Sequence, residues 1–235
     1  MLDRLSVFYP AYNEEENIAQ TVEKTLQVLP EVAREYEVII VNDGSKDRTG
    51  EIGEALSQKY RNVKVIHHSE NRGYGGALKT GMYNSQYEII AFTDSDGQFD
   101  FSEIREFIPH LHNYDVVIGY RRNRAEGFRR RLNAKAWGLL MRLVFGLQAR
   151  DIDCAFKVFH RQVIEKIPPL ESNGALISAE FLMKAHRSHF KIKEIPVSHF
   201  PRVAGKPTGA NLQVILKAFH ELFILKKKLD QVYHQ

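Results

Sequence analysis

The sequence predicts an α/β fold, a mostly parallel central sheet with helices on both faces. Two observations carry this. Short runs of apolar and β-branched residues alternate with stretches of helical periodicity four times and close on a fifth run, the order of β-α units in a parallel sheet. Each of the first four runs ends in a polar loop, and ligands of open parallel sheets bind beyond the carboxyl ends of the strands. The 235 residues can bury one substantial core, and 43% hydrophobic with 26% charged residues is ordinary for a soluble globular protein.

Leu5 to Tyr9 reads as a short strand broken by Pro10, followed by a polar loop through Asn17. Ile18, Val22, Leu26 and Leu29 then recur at helical spacing until Pro30 stops the pattern. Glu37 to Asn42 is a second buried strand, ending in Asp43-Gly44-Ser45. Asp47 and Thr49 offer N-cap groups to a helix carrying Ile52, Leu56 and Tyr60. Val63 to Ile66 is the third strand, and Ile89 to Phe92 opens the fourth. Asp100 and Glu103 make a cap pair for a helix presenting Phe101, Ile104, Ile108 and Leu111, and Val116 to Gly119 is the fifth strand.

The fourth strand runs into Asp94-Ser95-Asp96-Gly97-Gln98. In extended backbone residues i and i+2 share a side, so the two carboxylates converge. Adjacent anions repel unless a cation lies between them, and a hard divalent ion with oxygen ligands fits. The bland alternative is an acidic turn capping the next helix. The cluster from Asn71 to Lys79 invites a nucleotide-binding reading, but Leu78 stands where the third glycine of a dinucleotide motif belongs, and no Walker pattern follows. A glycine-rich helix start still permits close approach to phosphate, with Lys79 one turn inside it; a tight turn with a surface lysine is the other reading. Four polar loops, headed by Tyr12, Asp43, Asn71 and Asp94, thus point to one crevice for a polar, phosphorylated and metal-bound ligand.

Pro10-Ala11-Tyr12-Asn13-Glu14, Asn42-Asp43-Gly44-Ser45, Asn71-Arg72-Gly73 with Gly75-Gly76-Ala77, and Asp94-Ser95-Asp96-Gly97-Gln98 resemble, in order and spacing, the motifs of family 2 glycosyltransferases. The nearest likeness is to the polyprenol (dolichol) phosphate mannose synthase branch, over about residues 5 to 120. The resemblance implies a GT-A fold, a nucleotide-diphosphate sugar donor (GDP- or UDP-linked) and inversion at the anomeric carbon. It gives Pro10, Tyr12, Glu14 and Asp43 to the nucleoside, Asp94 and Asp96 to donor and metal, and Gln98 to metal. Asn42 departs from an aspartate common in relatives and tunes Asp43 in this reading. The leaving nucleoside diphosphate would be neutralised by bound Mg²⁺ or Mn²⁺ as a Lewis acid, with Lys79 or a later arginine adding charge stabilisation.

The second half carries the acceptor expectations. Arg121, Arg122, Arg124, Arg129, Arg130 and Arg131 fall within eleven residues, opposed only by Glu126. Such a run is ordinarily a solvated face. The apolar block Trp137 to Phe145 behind it favours instead an anionic lipid surface or a phosphate acceptor, and no nucleic-acid module surrounds it. Arg121, Arg129 and Arg131 are the acceptor candidates from that run. Asp151 to Arg161 resembles the family's acceptor-side segment, which adds Asp153 and Lys157, although Ala155 and Lys157 stand where Gly and Arg are common. Ser178 begins a helix, and Ile192 to Phe200 reads as a strand interrupted by Pro196. The loop Pro201 to Gly209 resembles a mobile basic loop over donor phosphates, giving Arg202 a catalytic role and Lys206 a donor-binding one. Residues 1–210 are expected to form a single GT-A catalytic domain (1–120 donor-binding, 121–210 acceptor-binding). Residues 211–235 are expected to form an amphipathic basic helix, with Leu212, Ile215, Leu216, Phe219, Leu222 and Phe223 on one stripe ahead of Lys226 to Lys228.

The acceptor sets the chemistry. A sugar hydroxyl must lose a proton to a base, for which Asp151, Asp153 and Glu180 are candidates, whereas a lipid phosphate needs only cations. The abundance of arginine favours a polyprenyl or dolichyl phosphate; transfer to a saccharide hydroxyl is the alternative. A sugar-1-phosphate nucleotidyltransferase is disfavoured because Pro10 to Glu14 contains no glycine. No stretch of eighteen apolar residues occurs, no signal-peptide pattern precedes the first strand, and the one cysteine, Cys154, fits a reducing compartment. The expected location is therefore cytoplasmic, with peripheral attachment to the inner face of the cell membrane as the option a lipid acceptor adds.

Overall fold

The computed structural model describes residues 1–122, 149–202, 222 and 225–227. Its seven-stranded sheet has the order β3-β2-β1-β4-β6-β5-β7. The strands are β1 Leu2–Ala11, β2 Ala33–Asn42, β3 Val63–His67, β4 Ile89–Phe92, β5 Val116–Arg121, β6 Lys157–His160 and β7 Ile192–Val197. β6 alone runs against the rest, between β4 and β5. The helices are α1 Ile18–Val32, α2 Thr49–Lys59, α3 Tyr74–Asn84, α4 Ile104–Phe107, α5 Arg161–Lys166 and α6 Ile177–Arg187.

Strand alternation builds two cores, one on each face of the sheet. Leu5, Val7, Tyr9, Val38 and Ile40 pack with Ile18, Val22, Leu29 and Leu56 of α1 and α2. Phe8, Ile39, Val41, Ile90 and Phe92 pack on the other face, with Leu78 and Met82 of α3 and Phe181 and Leu182 of α6. Leu222 and Leu225 belong to that second core, and the rest of the expected C-terminal stripe lies outside the described residues.

Several boundaries differ from the sequence expectation. β1 continues through Pro10, which pairs with Val41, because a strand end tolerates a residue without an N–H. α1 continues past Pro30 to Val32, so the proline sits in the last turn, where little helix remains to disrupt. Pro196 lies within β7, an edge strand. Asp100 accepts from the Ser102 N–H as a cap, but Glu103 accepts from the Ser198 N–H instead and ties this segment to the end of β7. Strand β6 was not foreseen: four residues between a loop and a helix give too short an alternation to register.

Candidate active site

The carboxyl ends of β1, β2 and β4, with the loop after β3, surround a crevice of about 500 Å³. Pro10, Tyr12 and Glu14 line it from the first loop, Asp43 from the second, Asn71, Gly73 and Tyr74 from the third, and Asp94 and Asp96 from the fourth. Arg202 lines it from beyond β7. The first loop is fastened to the second: the Glu14 N–H donates to Thr49 Oγ1 at 2.8 Å and the Asn13 N–H to Ser45 Oγ at 3.0 Å. The fourth loop is fastened to the first through Ser95 Oγ, which donates to the Pro10 carbonyl at 2.8 Å.

The two aspartates do not converge by extended backbone. β4 stops at Phe92, and the chain turns through Ser95 and Asp96 with Gly97 at φ +72°, a conformation glycine adopts freely. Asp94 is half-buried and Asp96 is 7% exposed. Burial, and then the neighbouring charge of Asp96, push the Asp94 carboxyl up to about 7, against the hydrogen bond it accepts from Tyr74 Oη at 3.0 Å. Burial raises the Tyr74 phenol in turn, so it stays a donor. Nothing in the sequence spacing singled out Tyr74: it reaches Asp94 because the start of α3 lies against the end of β4.

A divalent cation fits this environment. Burial and the charge of Asp96 both disfavour a second anion at Asp94, which a divalent cation would offset, and the carboxylates offer it oxygen ligands. Gln98 gives its side-chain N–H to the Phe200 carbonyl at 3.0 Å, and no described residue bonds its Oε1. Among the described residues no three His, Cys, Asp or Glu side chains form a ligand cluster, so phosphate or water oxygens would have to complete the shell. Among the described residues, Arg202 pairs with the crevice carboxylates: Nη1 lies 3.8 Å from Asp96 Oδ2 and Nη2 bonds Glu14 Oε1. Glu14 Oε2 also accepts from Asn17 Nδ2 at 2.8 Å, so both its oxygens have partners.

The glycine cluster lines the crevice at Gly73 and also receives a second loop. A Cβ on Gly75 would lie 2.5 Å from the Ser172 carbonyl oxygen, and the Gly75 N–H donates to the Asn173 carbonyl at 2.8 Å. The glycines thus let the 172–173 loop sit on the start of α3. Lys79 does not reach the carboxylate crevice. Its ammonium donates to Glu171 O at 3.1 Å and Asn173 Oδ1 at 2.7 Å, beside an adjoining cavity of about 870 Å³ that shares Asn71 and Gly73 with the crevice.

The residues expected on the acceptor side are largely engaged within the fold. Arg121 forks onto Asp151 at 2.7 and 2.8 Å, with both side chains nearly buried. Lys157 is fully buried, donating to the carbonyls of Ile152 and Cys154, and burial lowers its pKa; it is not on a surface that an acceptor touches. Burial works to raise the Glu180 carboxyl, but hydrogen bonds from Lys184 and from the N–H groups of Ser172 and Glu171 outweigh it and hold it below the usual range. Asp153 is exposed. Burial pushes the Cys154 thiol up to about 12, which makes it inert. Arg129, Arg131 and Lys206 lie outside the described residues.

Comparison with known proteins agrees with this architecture. Residues 6–168 match the model of glycosyl transferase family 2. The chain belongs to that family. It is 30% identical over 220 residues to dolichyl-phosphate beta-glucosyltransferase of Saccharomyces cerevisiae, covering 83% of this chain and 66% of that one. It is 27% identical over 216 residues to undecaprenyl-phosphate 4-deoxy-4-formamido-L-arabinose transferase of Pectobacterium carotovorum, covering 91% and 65%. The chain thus spans just under two thirds of the length of these relatives. Glucosyl-3-phosphoglycerate synthase from Mycobacterium tuberculosis, crystallised with Mn²⁺, UDP-glucose and phosphoglyceric acid, superposes with a TM-score of 0.73 at 16% identity over 96% of this chain and 80% of that one. The fold is GT-A.

Proposed function

We propose that the protein is an inverting glycosyltransferase that moves a hexose from a GDP- or UDP-sugar to a polyprenyl or dolichyl phosphate. The observation that carries the choice of acceptor is the state of the candidate bases. Of the three candidate bases, Asp151 is locked to Arg121 and Glu180 to Lys184, which leaves only the exposed Asp153 to deprotonate a hydroxyl. A phosphate acceptor is already an anion and needs none. The relatives named for dolichyl and undecaprenyl phosphate support the same reading.

In this reading Pro10, Tyr12 and Asp43 hold the nucleoside, while Asp94, Asp96 and Gln98 hold Mg²⁺ or Mn²⁺. When bound, the ion would act as a Lewis acid toward the departing diphosphate. Tyr74 keeps Asp94 oriented by its hydrogen bond. Arg202, resting between Glu14 and Asp96, is a counter-charge that turns to the diphosphate when donor enters. Residues 1–120 form the donor half and 121–210 the acceptor half of one catalytic domain, joined by the single sheet. Arg129, Arg131 and Lys206 are proposed contacts for acceptor phosphate and donor, and Asp153 stays an acceptor-side candidate. Among the described residues no helix is long and apolar enough to cross a membrane. The acceptor would be met at the inner face of the cell membrane.

The test is product analysis with GDP- and UDP-hexoses, Mn²⁺, and either a short polyprenyl phosphate in detergent or free saccharides. Glycosyl polyprenyl phosphate with release of nucleoside diphosphate is expected. Transfer to saccharides with none to the lipid would overturn the acceptor assignment.

A further inference from the structure

His68 follows directly on β3 and is 6% exposed. Its backbone N–H donates to the Asn42 carbonyl at 2.9 Å, which seats it beside Asp43. Both ring nitrogens are engaged: Nδ1 lies 2.5 Å from Asp43 Oδ1, and Nε2 lies 2.8 Å from Thr80 Oγ1 on α3. A carboxylate oxygen only accepts, so Nδ1 is the donor. The same Oδ1 accepts the Arg72 N–H at 2.9 Å. Two donors therefore converge on one oxygen of Asp43. Its Oδ2 accepts from no described residue, although Asp43 lines the crevice.

We propose that His68 is a positioning residue for base selection. By pinning Oδ1, it leaves Oδ2 as a fixed, acceptor-only reader of the donor's base. The inference rests on the reading above that this crevice holds a nucleotide donor. Such a reader suits uracil or guanine, which present a ring N–H at their pairing edge. It opposes cytosine or adenine, which present a ring lone pair there. With Oδ2 fixed opposite the ring nitrogen, acceptor faces acceptor and the exocyclic amino group lies to one side, the kind of mismatch that polar pockets reject by large factors. A carboxylate released from His68 can turn either oxygen away, and the rejection weakens.

The test is calorimetric titration of the full chain, in Mn²⁺, with UDP, CDP, GDP and ADP. Whichever of UDP or GDP binds more tightly is expected to exceed its amino-base counterpart (CDP or ADP) by ~100-fold or more. In His68→Gln the amide reaches toward Thr80 and abandons Asp43, and the ratio should fall about tenfold. In His68→Asn the amide nitrogen falls near the place of Nδ1, and the ratio should stay within about threefold of wild type. Thr80→Val, which removes only the far anchor, should give an intermediate ratio and serves if His68→Gln fails to fold. A residue that merely supports the fold would weaken all four nucleotides together, so an unchanged ratio in both His68→Gln and Thr80→Val overturns the proposal. An absence of discrimination in the wild type does so too. If the wild type binds none of the four, the donor-site reading itself fails, which is a different result from binding without selectivity.

Discussion

Replacing Asp94 by Asn should make the metal-free protein more stable while destroying its turnover. The Asp94 carboxyl rises from 3.8 to about 7 on folding, so the folded chain holds this proton more tightly than the unfolded one. Stability from that source is fully present below pH 3.8 and is lost as pH climbs through 7. At 1.36 kcal/mol for each tenfold change, the ceiling on the loss is about 4 kcal/mol. Asp94 keeps some contact with solvent, which screens the charge and brings the figure to about 2 kcal/mol. Asparagine carries no charge and still offers Tyr74 an oxygen. Thermal melts at pH 8.5 without metal should therefore show the variant higher by about 4–8 °C, and at pH 5.5 the difference should shrink to about half. Saturating Mn²⁺ with UDP should reverse the order, because a ligand at a hundred times its Kd adds about 2.7 kcal/mol to the wild type alone. Identical melting curves at pH 8.5, or a variant less stable at both pH values, would refute the electrostatic argument.

Three further outcomes are expected. Arg202→Ala should lower kcat by about 10²–10³ with a smaller loss in UDP affinity, measured by steady-state kinetics beside calorimetry. Gly75→Ala should cost about 2 kcal/mol, read as a fall in melting temperature, because the added methyl meets the Ser172 carbonyl at 2.5 Å. Glu180→Gln breaks a buried ion pair and should destabilise by about 3 kcal/mol while leaving kcat per folded molecule within about twofold. A hundredfold loss of kcat with an unchanged melt would instead restore Glu180 as a base.

The parallel sheet was legible because its strands are buried on both faces. Val38 to Val41 are apolar at every position, and the loops after them carry the polar groups. The convergence of Tyr12, Asp43, Asn71 and Asp94 followed from the topology alone. What escaped was what depends on contacts between distant segments. Lys79 looked like a phosphate ligand because its only visible context was the glycine cluster, whereas the 172–173 loop that occupies that helix start comes almost a hundred residues later. Lys157 looked like an acceptor cation because a sequence shows its charge and not its burial. Tyr74 and His68 were hidden for the opposite reason: each acts through a carboxylate brought to it by the fold.

The burial of Lys157 also links the two halves of the site. It stands opposite Phe92 in the register of β4 and β6, two residues before Asp94, and its ammonium lies 5.4 Å from the centre of the Phe92 ring. Its positive charge, with that of Arg121, opposes protonation of Asp94. The same ammonium holds the carbonyls of Ile152 and Cys154, in a loop whose first residue, Asp151, is gripped by Arg121. A cation this deep is costly unless its surroundings answer it. Two carbonyls and the field of the nearby carboxylates supply that answer, so the charge at Asp94 and the shape of the 151–154 loop share one counter-ion. Binding a divalent ion at the aspartates would remove part of the negative field that Lys157 was placed against. The loop from Asp151 to Cys154 is therefore coupled electrostatically to what binds at the aspartates.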